Sequence, residues 1–331
     1  MKKVVGLNIL LLLALLLAAC GGGTTGGGDE GQFKVAVVMP SPINDLAFSQ
    51  SMYDALTTIQ GEKGEENFEF AYSDSMFVVD DAAAALRDYA SQGYDLIIAH
   101  GSQYGASLQE IAPDFPETSF AWGTAGDTFG IPNVFAYEAF SQEGGYVNGV
   151  MASALSESGT VGVVGPIEVG DAKLYVDGFA DGAEATVPGI EVNINYIGSF
   201  SDVAMASEAA QTHVAAGADS LTGTAQMVVG AIGVAEEAGV PWFGTQANQS
   251  SLAPDIVVAS QVYDWTVVLD EIINLINDGT LGGEAYVLTL ENGGLLIEYN
   301  DGFDLPAEIK DMAEAAIKGI KDGSIQVEIA E

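Results

Sequence analysis

Residues 34–59 read KVAVVMPSPINDLAFSQSMYDALTTI, and their pattern decides the fold. Lys34 to Met39 is a short β-branched run stopped by Pro40, as in a strand buried on both faces. Over residues 46–59 the apolar side chains return at helical spacing. A strand, a polar loop and a helix make the first half of a βα unit, and the chain downstream repeats it. Strands are expected at 68–72, 96–99, 119–122 and 134–137, and helices at 80–92, 104–112 and 144–155. A second series opens with a strand at 161–164. It continues with helix 175–185, strand 191–197, helix 203–216, strand 220–222, helix 228–238 and strand 242–244.

Two runs of alternating strand and helix imply an α/β protein with two doubly wound parallel sheets. Beyond Val257 the pattern predicts a strand, a helix at 267–276, a strand at 286–290 and a last helix at 307–320. These pieces are too few for a third domain, so they are expected to complete the two lobes by crossing back between them. The expected first lobe is 33–139 plus 262–286, and the second 140–261 plus 287–331. Such lobes form a hinged clamshell with a cleft between them.

In open parallel sheets, ligands bind beyond the carboxyl ends of the strands. That rule selects the loops 41–45, 101–104 and 123–128 in the first lobe. In the second it selects 166–171, 200–202, 223–226 and 245–248. Amides, hydroxyls and aromatic rings gather there: Asn44, Asp45, Phe48, Ser102, Gln103, Trp122, Thr124, Gln142, Phe200, Thr224, Gln246 and Tyr263 are the candidate ligand-binding residues. Such groups suit a small polar solute with a flat or ring-shaped body. Asp45 also stands where it can cap the helix that follows.

Charge narrows the partners. With 47 Asp+Glu against 9 Lys+Arg, the net charge of −38 excludes nucleic acid and anionic lipid surfaces. Lys173 is the basic residue nearest the selected loops, so a neutral or cationic ligand is favoured over an anionic one. Two histidines far apart, His100 and His213, and a single cysteine give no transition-metal set, and no cofactor is expected. The stretch 101–105 lacks the G-x-S-x-G elbow, and the glycine-containing loops lack a dinucleotide or P-loop fingerprint. A glycosidase-like carboxylate pair could be drawn from so many acids, but their abundance reads as a solvated face, and no enzyme activity is expected.

At the N-terminus, Lys2 and Lys3 precede an apolar run over 4–17 that ends in Leu17-Ala18-Ala19-Cys20. The run is short for a membrane span, which needs about 20 apolar residues, and suits a signal peptide. Cys20 is the sole cysteine and stands at the cut point. The pattern resembles the bacterial lipobox, which implies a signal peptide over 1–20, lipidation at Cys20 and a glycine-rich tether over 21–32.

Several further motifs carry a family resemblance. The loop Ile43-Asn44-Asp45-Leu46-Ala47-Phe48-Ser49-Gln50, the strand end Ala99-His100-Gly101-Ser102 and the stretch from Tyr137 to Tyr146 resemble the basic membrane protein family. The resemblance extends over the chain from Phe33 onward. It implies the type I periplasmic-binding-protein fold and a lipoprotein receptor, working as a monomer with the permease and ATPase of an ABC importer. By position, Phe48 and Phe200 would sandwich a base, one from each lobe, with Asp45 on a polar edge. The chain also departs from the pattern. Ser49 replaces an asparagine, Thr245-Gln246 stands where an aspartate would hold a ribose, and Trp122-Gly123-Thr124 replaces an acid-bearing loop. These departures widen the expected ligand from a nucleoside to a purine-like base or another neutral flat heterocycle. A receptor that signals to a membrane partner is the alternative role for the same fold.

Overall fold

The computed structural model describes residues 31–327 and 329. The expected signal peptide, Cys20 and nearly all of the tether lie outside them. The first sheet contains β1 (Phe33–Val38), β2 (Phe68–Ser73), β3 (Leu96–His100), β4 (Ser119–Gly123), β5 (Val134–Ala139) and β11 (Ala285–Leu288), in the order β11-β5-β4-β3-β1-β2. All its pairings are parallel. The second contains β6 (Thr160–Gly165), β7 (Glu191–Tyr196), β8 (Leu221–Gly223), β9 (Trp242–Gln246), β10 (Val257–Tyr263) and β12 (Leu295–Tyr299), in the order β12-β10-β9-β8-β6-β7. Only β12 runs antiparallel, against β10. Strands covered by helices on both faces need apolar residues on both, so Val35, Ala36, Val37 and Val38 are consecutive and fully buried.

The helices are α1 (Phe48–Lys63), α2 (Val79–Gln92), α3 (Gly105–Ile111), α4 (Gln142–Leu155), α5 (Gly170–Thr186), α6 (Val203–Ala215), α7 (Val228–Ala238), α8 (Thr266–Asn277) and α9 (Ala307–Lys321). The chain passes between sheets after Ala139, after Tyr263 and after Leu288, so β10 and β11 each end slightly beyond the boundaries expected from sequence. A distal core on each lobe packs α2 and α3, or α6 and α7, on its sheet. A third and larger core joins both lobes and includes residues of α1, α4, α5, α8 and α9.

Glycines set the tightest helix contact. On α4, Gly145 and Gly149 face the backbone of α5 at Tyr175 and Phe179; on α5, Gly178 and Gly182 face the backbone of α4 at Gln142 and Tyr146. A methyl group at any of the four would collide with an opposing carbonyl. The i, i+4 spacing on both helices puts each pair on one face.

The strand β12 differs from the sequence-based reading, which has no strand over 295–299. The segment is short and comes directly after a turn. Its strand state comes from pairing, Ile297 with Gln261 and Leu295 with Tyr263.

Candidate functional site

The loops at the carboxyl ends of both sheets line a partly open cavity, with about 470 Å³ of empty space when the adjoining open solvent is counted. Phe48, Phe77, Ser102, Gln103 and Thr124 line it from the first lobe. Asp171, Phe200, Gln226 and Gln246 line it from the second.

Phe48 is placed by the local chemistry of 41–50. One oxygen of Asp45 accepts hydrogen bonds from the backbone N–H of Ala47 at 2.9 Å and Gln50 at 3.1 Å. The other accepts from Ser49 N–H at 3.1 Å and from the Ser41 hydroxyl at 2.6 Å. These bonds satisfy the free donors at the start of α1 and hold its first residue, Phe48, at the cleft. The ring stacks on His100, with centroids 3.8 Å apart and an interplanar angle of 8°. Trp265 packs edge-on against it at 6.4 Å.

His100 is fully buried, and burial pulls its pKa down to about 3, so it is neutral. Its Nε2 lies 3.2 Å from the Phe48 carbonyl, which can only accept, so Nε2 carries the proton. Nδ1 is then the acceptor for the Tyr137 hydroxyl at 2.8 Å. The imidazole is thereby committed to holding Phe48.

The second-lobe wall is built around Asp171, the second residue of α5. Its carboxylate accepts from the Thr124 hydroxyl at 3.1 Å and from the Tyr263 hydroxyl at 3.1 Å, one on each oxygen. Thr124 follows β4 in the first lobe, so this bond ties the lobes together; the Gln249 amide makes another such tie, donating to the Leu46 carbonyl at 3.3 Å. Burial pushes the Asp171 carboxyl upward, with the bonds from Tyr263 and Thr124 opposing it. Glu138, near the end of β5, is raised first by burial and then by the charge of Asp171.

Three buried polar atoms on this side have no hydrogen-bond partner: Thr224 Oγ1, Gln226 Oε1 and Gln246 Oε1. Buried polar groups are normally paired, and two of these, on Gln226 and Gln246, belong to residues that line the cavity, where a polar guest can supply the partner. Two residues here also hold left-handed backbone, Ala225 with φ 73° and Gln246 with φ 72°. Such conformations cost non-glycine residues on the order of 1–3 kcal/mol and concentrate at functional sites.

Of the residues selected from sequence, Phe48, Ser102, Gln103, Thr124, Phe200 and Gln246 line the cavity, and six others do not. Asn44 is exposed on the loop before α1. Asp45 is turned into the helix start. Trp122 packs on the far side of its sheet, stacked on Phe129 at 4.7 Å, and donates to the Gly101 carbonyl at 3.2 Å, supporting that loop from behind. Gln142 opens α4, with its Oε1 buried and unpaired. Thr224 is fully buried beside Ala225, and Tyr263 reaches the cavity only through Asp171. The lining residues outside that selection include Asp171, Gln226 and Phe77. Asp171 closes a loop that the strand-end rule had chosen, so that rule was the available signal. Phe77 follows β2, which runs parallel to β1, so the same rule covers its loop although that loop is not among the selected ones.

Among the described residues, no group of three or more His, Cys, Asp or Glu is placed to hold a metal ion, and no helix is long and apolar enough to cross a membrane.

The profile of the family described as ABC transporter substrate-binding protein PnrA-like matches residues 32–328. A purine-binding protein of Brucella abortus (strain 2308) is 25% identical over 296 residues, which is 89% of this chain and 83% of that protein. The ABC transporter nucleoside-binding protein BmpA of Lactococcus lactis subsp. cremoris (strain MG1363) is 25% identical over 319 residues, 89% of this chain and 88% of that one. Among solved structures, an ABC transporter solute-binding protein from Aeropyrum pernix K1 superposes with a TM-score of 0.76 at 19% identity, covering 90% of this chain and 94% of its own. Similarity at that level is one of fold, and it agrees with the periplasmic-binding fold expected from sequence.

Proposed function

Because the chain belongs to the PnrA-like family of ABC transporter substrate-binding proteins, we propose that it captures a small flat heterocycle, a nucleoside or purine-like base among them, by closing its two lobes. The ligand then passes to the permease and ATPase of the importer. What supports this reading above all is a single cavity with a phenylalanine from each lobe, Phe48 and Phe200, beside unpaired polar atoms. Ring faces bury the flat body of a ligand, and the amides of Gln226 and Gln246 orient its edge. A ligand touching both lobes favours the closed arrangement by its differential affinity. The purine- and nucleoside-binding names of two relatives favour a purine-like ring.

Thermal melting of the chain against nucleosides, free bases, vitamins, sugars and amino acids tests the proposal. A ligand at a hundred times its Kd stabilises by about 2.7 kcal/mol. Stabilisation confined to flat heterocycles is the expected result. A sugar or an amino acid as the sole stabiliser would overturn the ligand class and leave the family role intact.

The same reading includes a lipid anchor at Cys20. Export of the Cys20→Ser chain into the medium, with the wild type retained in the membrane fraction, is the expected outcome. Equal release of both would remove the anchor from the proposal.

A further inference from the structure

The cavity has an asymmetry of charge that the proposed function does not use. Three phenylalanine rings line it, Phe48, Phe77 and Phe200, and so does one buried carboxylate, that of Asp171. Among the described residues that line it there is no Lys, Arg or His. Lys173, two residues beyond Asp171, is paired with Asp177 at 2.5 Å. The side chains that hold the Asp171 carboxylate, Thr124 and Tyr263, are neutral hydroxyls. They fix its position and satisfy its oxygens without cancelling its charge. Glu138 adds a second negative charge close enough to feel that of Asp171.

A buried ionised carboxylate with no countercharge is costly, and the cost falls when a positive charge comes beside it. The faces of aromatic rings carry negative potential and attract cations, most strongly where water is excluded. Both features act in the same direction on a guest in this cavity. An anion would meet the field of Asp171 and the negative faces of the rings with no compensating base.

We propose that the ligand is a cationic heterocycle, a flat ring bearing a quaternary or protonated nitrogen, seated among Phe48, Phe77 and Phe200 with its charge directed at Asp171. This rests on the flat-heterocycle reading above and adds the sign of the charge to it. Asp171 and Phe77 are then the residues that set charge specificity. Phe77 is 40% exposed and so can be altered without disturbing the core.

The test is calorimetric titration of the full chain with two matched pairs at one fixed ionic strength. The pairs are nicotinamide against 1-methylnicotinamide and adenosine against 1-methyladenosine; within each, the methylated partner carries the positive charge. In at least one pair the cation is expected to bind about tenfold or more tightly than its neutral partner. Asp171→Asn should abolish that advantage. Phe77→Leu, which leaves the hydrogen bonds of Asp171 in place, should reduce it severalfold. Neutral partners that bind as tightly as the cations, or a cation advantage that survives both substitutions, overturn the charge assignment and leave the heterocycle reading standing. Failure of the folded chain to bind either cation overturns it too. The heterocycle reading falls with it only when the broad melting panel also yields no flat ligand.

Discussion

At the scale of the residue, the two phenylalanines from opposite lobes have unequal burdens. Phe48 is 7% exposed and locked between His100 and Trp265, whereas Phe200 is only partly buried at a loop end. Phe200→Ala is therefore expected to weaken ligand binding by tenfold or more, about 1.4 kcal/mol, with little change in the urea midpoint. Phe48→Ala should lower both, with a stability loss of about 3–5 kcal/mol. Titration and denaturation of the two variants side by side check this, and unchanged affinity in folded Phe200→Ala would remove its stacking role. His100 sets a pH dependence. Its pKa is about 3 in the fold against an ordinary value of 6.5, so the unfolded chain takes up the proton first as pH falls. Its contribution is thus fully present above about pH 6.5 and is lost as pH drops toward about 3. Burial raises the carboxyls of Asp171 and Glu138, which favours their neutral form in the fold and opposes this trend as pH falls. Comparison of urea midpoints at pH 7 and pH 5 separates the two effects: His100→Gln should lose less stability over that interval than the wild type. A steeper loss in the variant would contradict the assignment of a neutral buried imidazole.

At the scale of the element, most of the pattern was legible because hydrophobic periodicity is a local property. The strand from Lys34 and the helix after Asp45 are both found where the periodicity places them. The sequence allows Asp45 either a ligand contact or a helix cap. Its oxygens are occupied by Ser41 and three backbone donors at the start of α1, a fact that depends on how the loop turns and not on which residues it contains. The glycines of α4 and α5 were visible as letters, but their purpose appears only when the two helices are brought together. Gly149→Ala would push a methyl group into the Phe179 carbonyl, and the helices must separate to admit it. A stability loss of about 1–3 kcal/mol is expected from such overpacking, read as a lowered urea midpoint. Gly233→Ala on α7, where a methyl group meets nothing within 4 Å, should by contrast gain a few tenths of a kcal/mol from helix propensity. Equal effects of the two substitutions would argue against close helix packing as the reason for Gly149.

At the scale of the whole molecule, charge dominates. A net charge of −38 works against compactness through self-repulsion, and salt screens it. The melting temperature of the chain is expected to rise as potassium chloride goes from about 0.05 M to about 1 M, where the Debye length falls to about 3 Å. A flat or falling curve would show that the acids are spread widely enough not to burden the fold. The lobes also have their own links. The Thr124–Asp171 and Gln249–Leu46 bonds join them across the cleft, so closure is supported by protein contacts as well as by a ligand.

The sequence by itself determined that this protein alternates strand and helix in two series, that its cleft lies at the carboxyl ends of the strands, and that an anionic partner is disfavoured. Each follows from periodicity or composition, which need no knowledge of distant contacts. Only the tertiary structure decided that Asp171 and Phe77 line the same cavity as Phe48 and Phe200, that Trp122 supports a loop from behind, and that residues 295–299 form a strand. Those outcomes depend on which loops meet when two sheets close on each other, and a loop carries no periodic signal that records its neighbours.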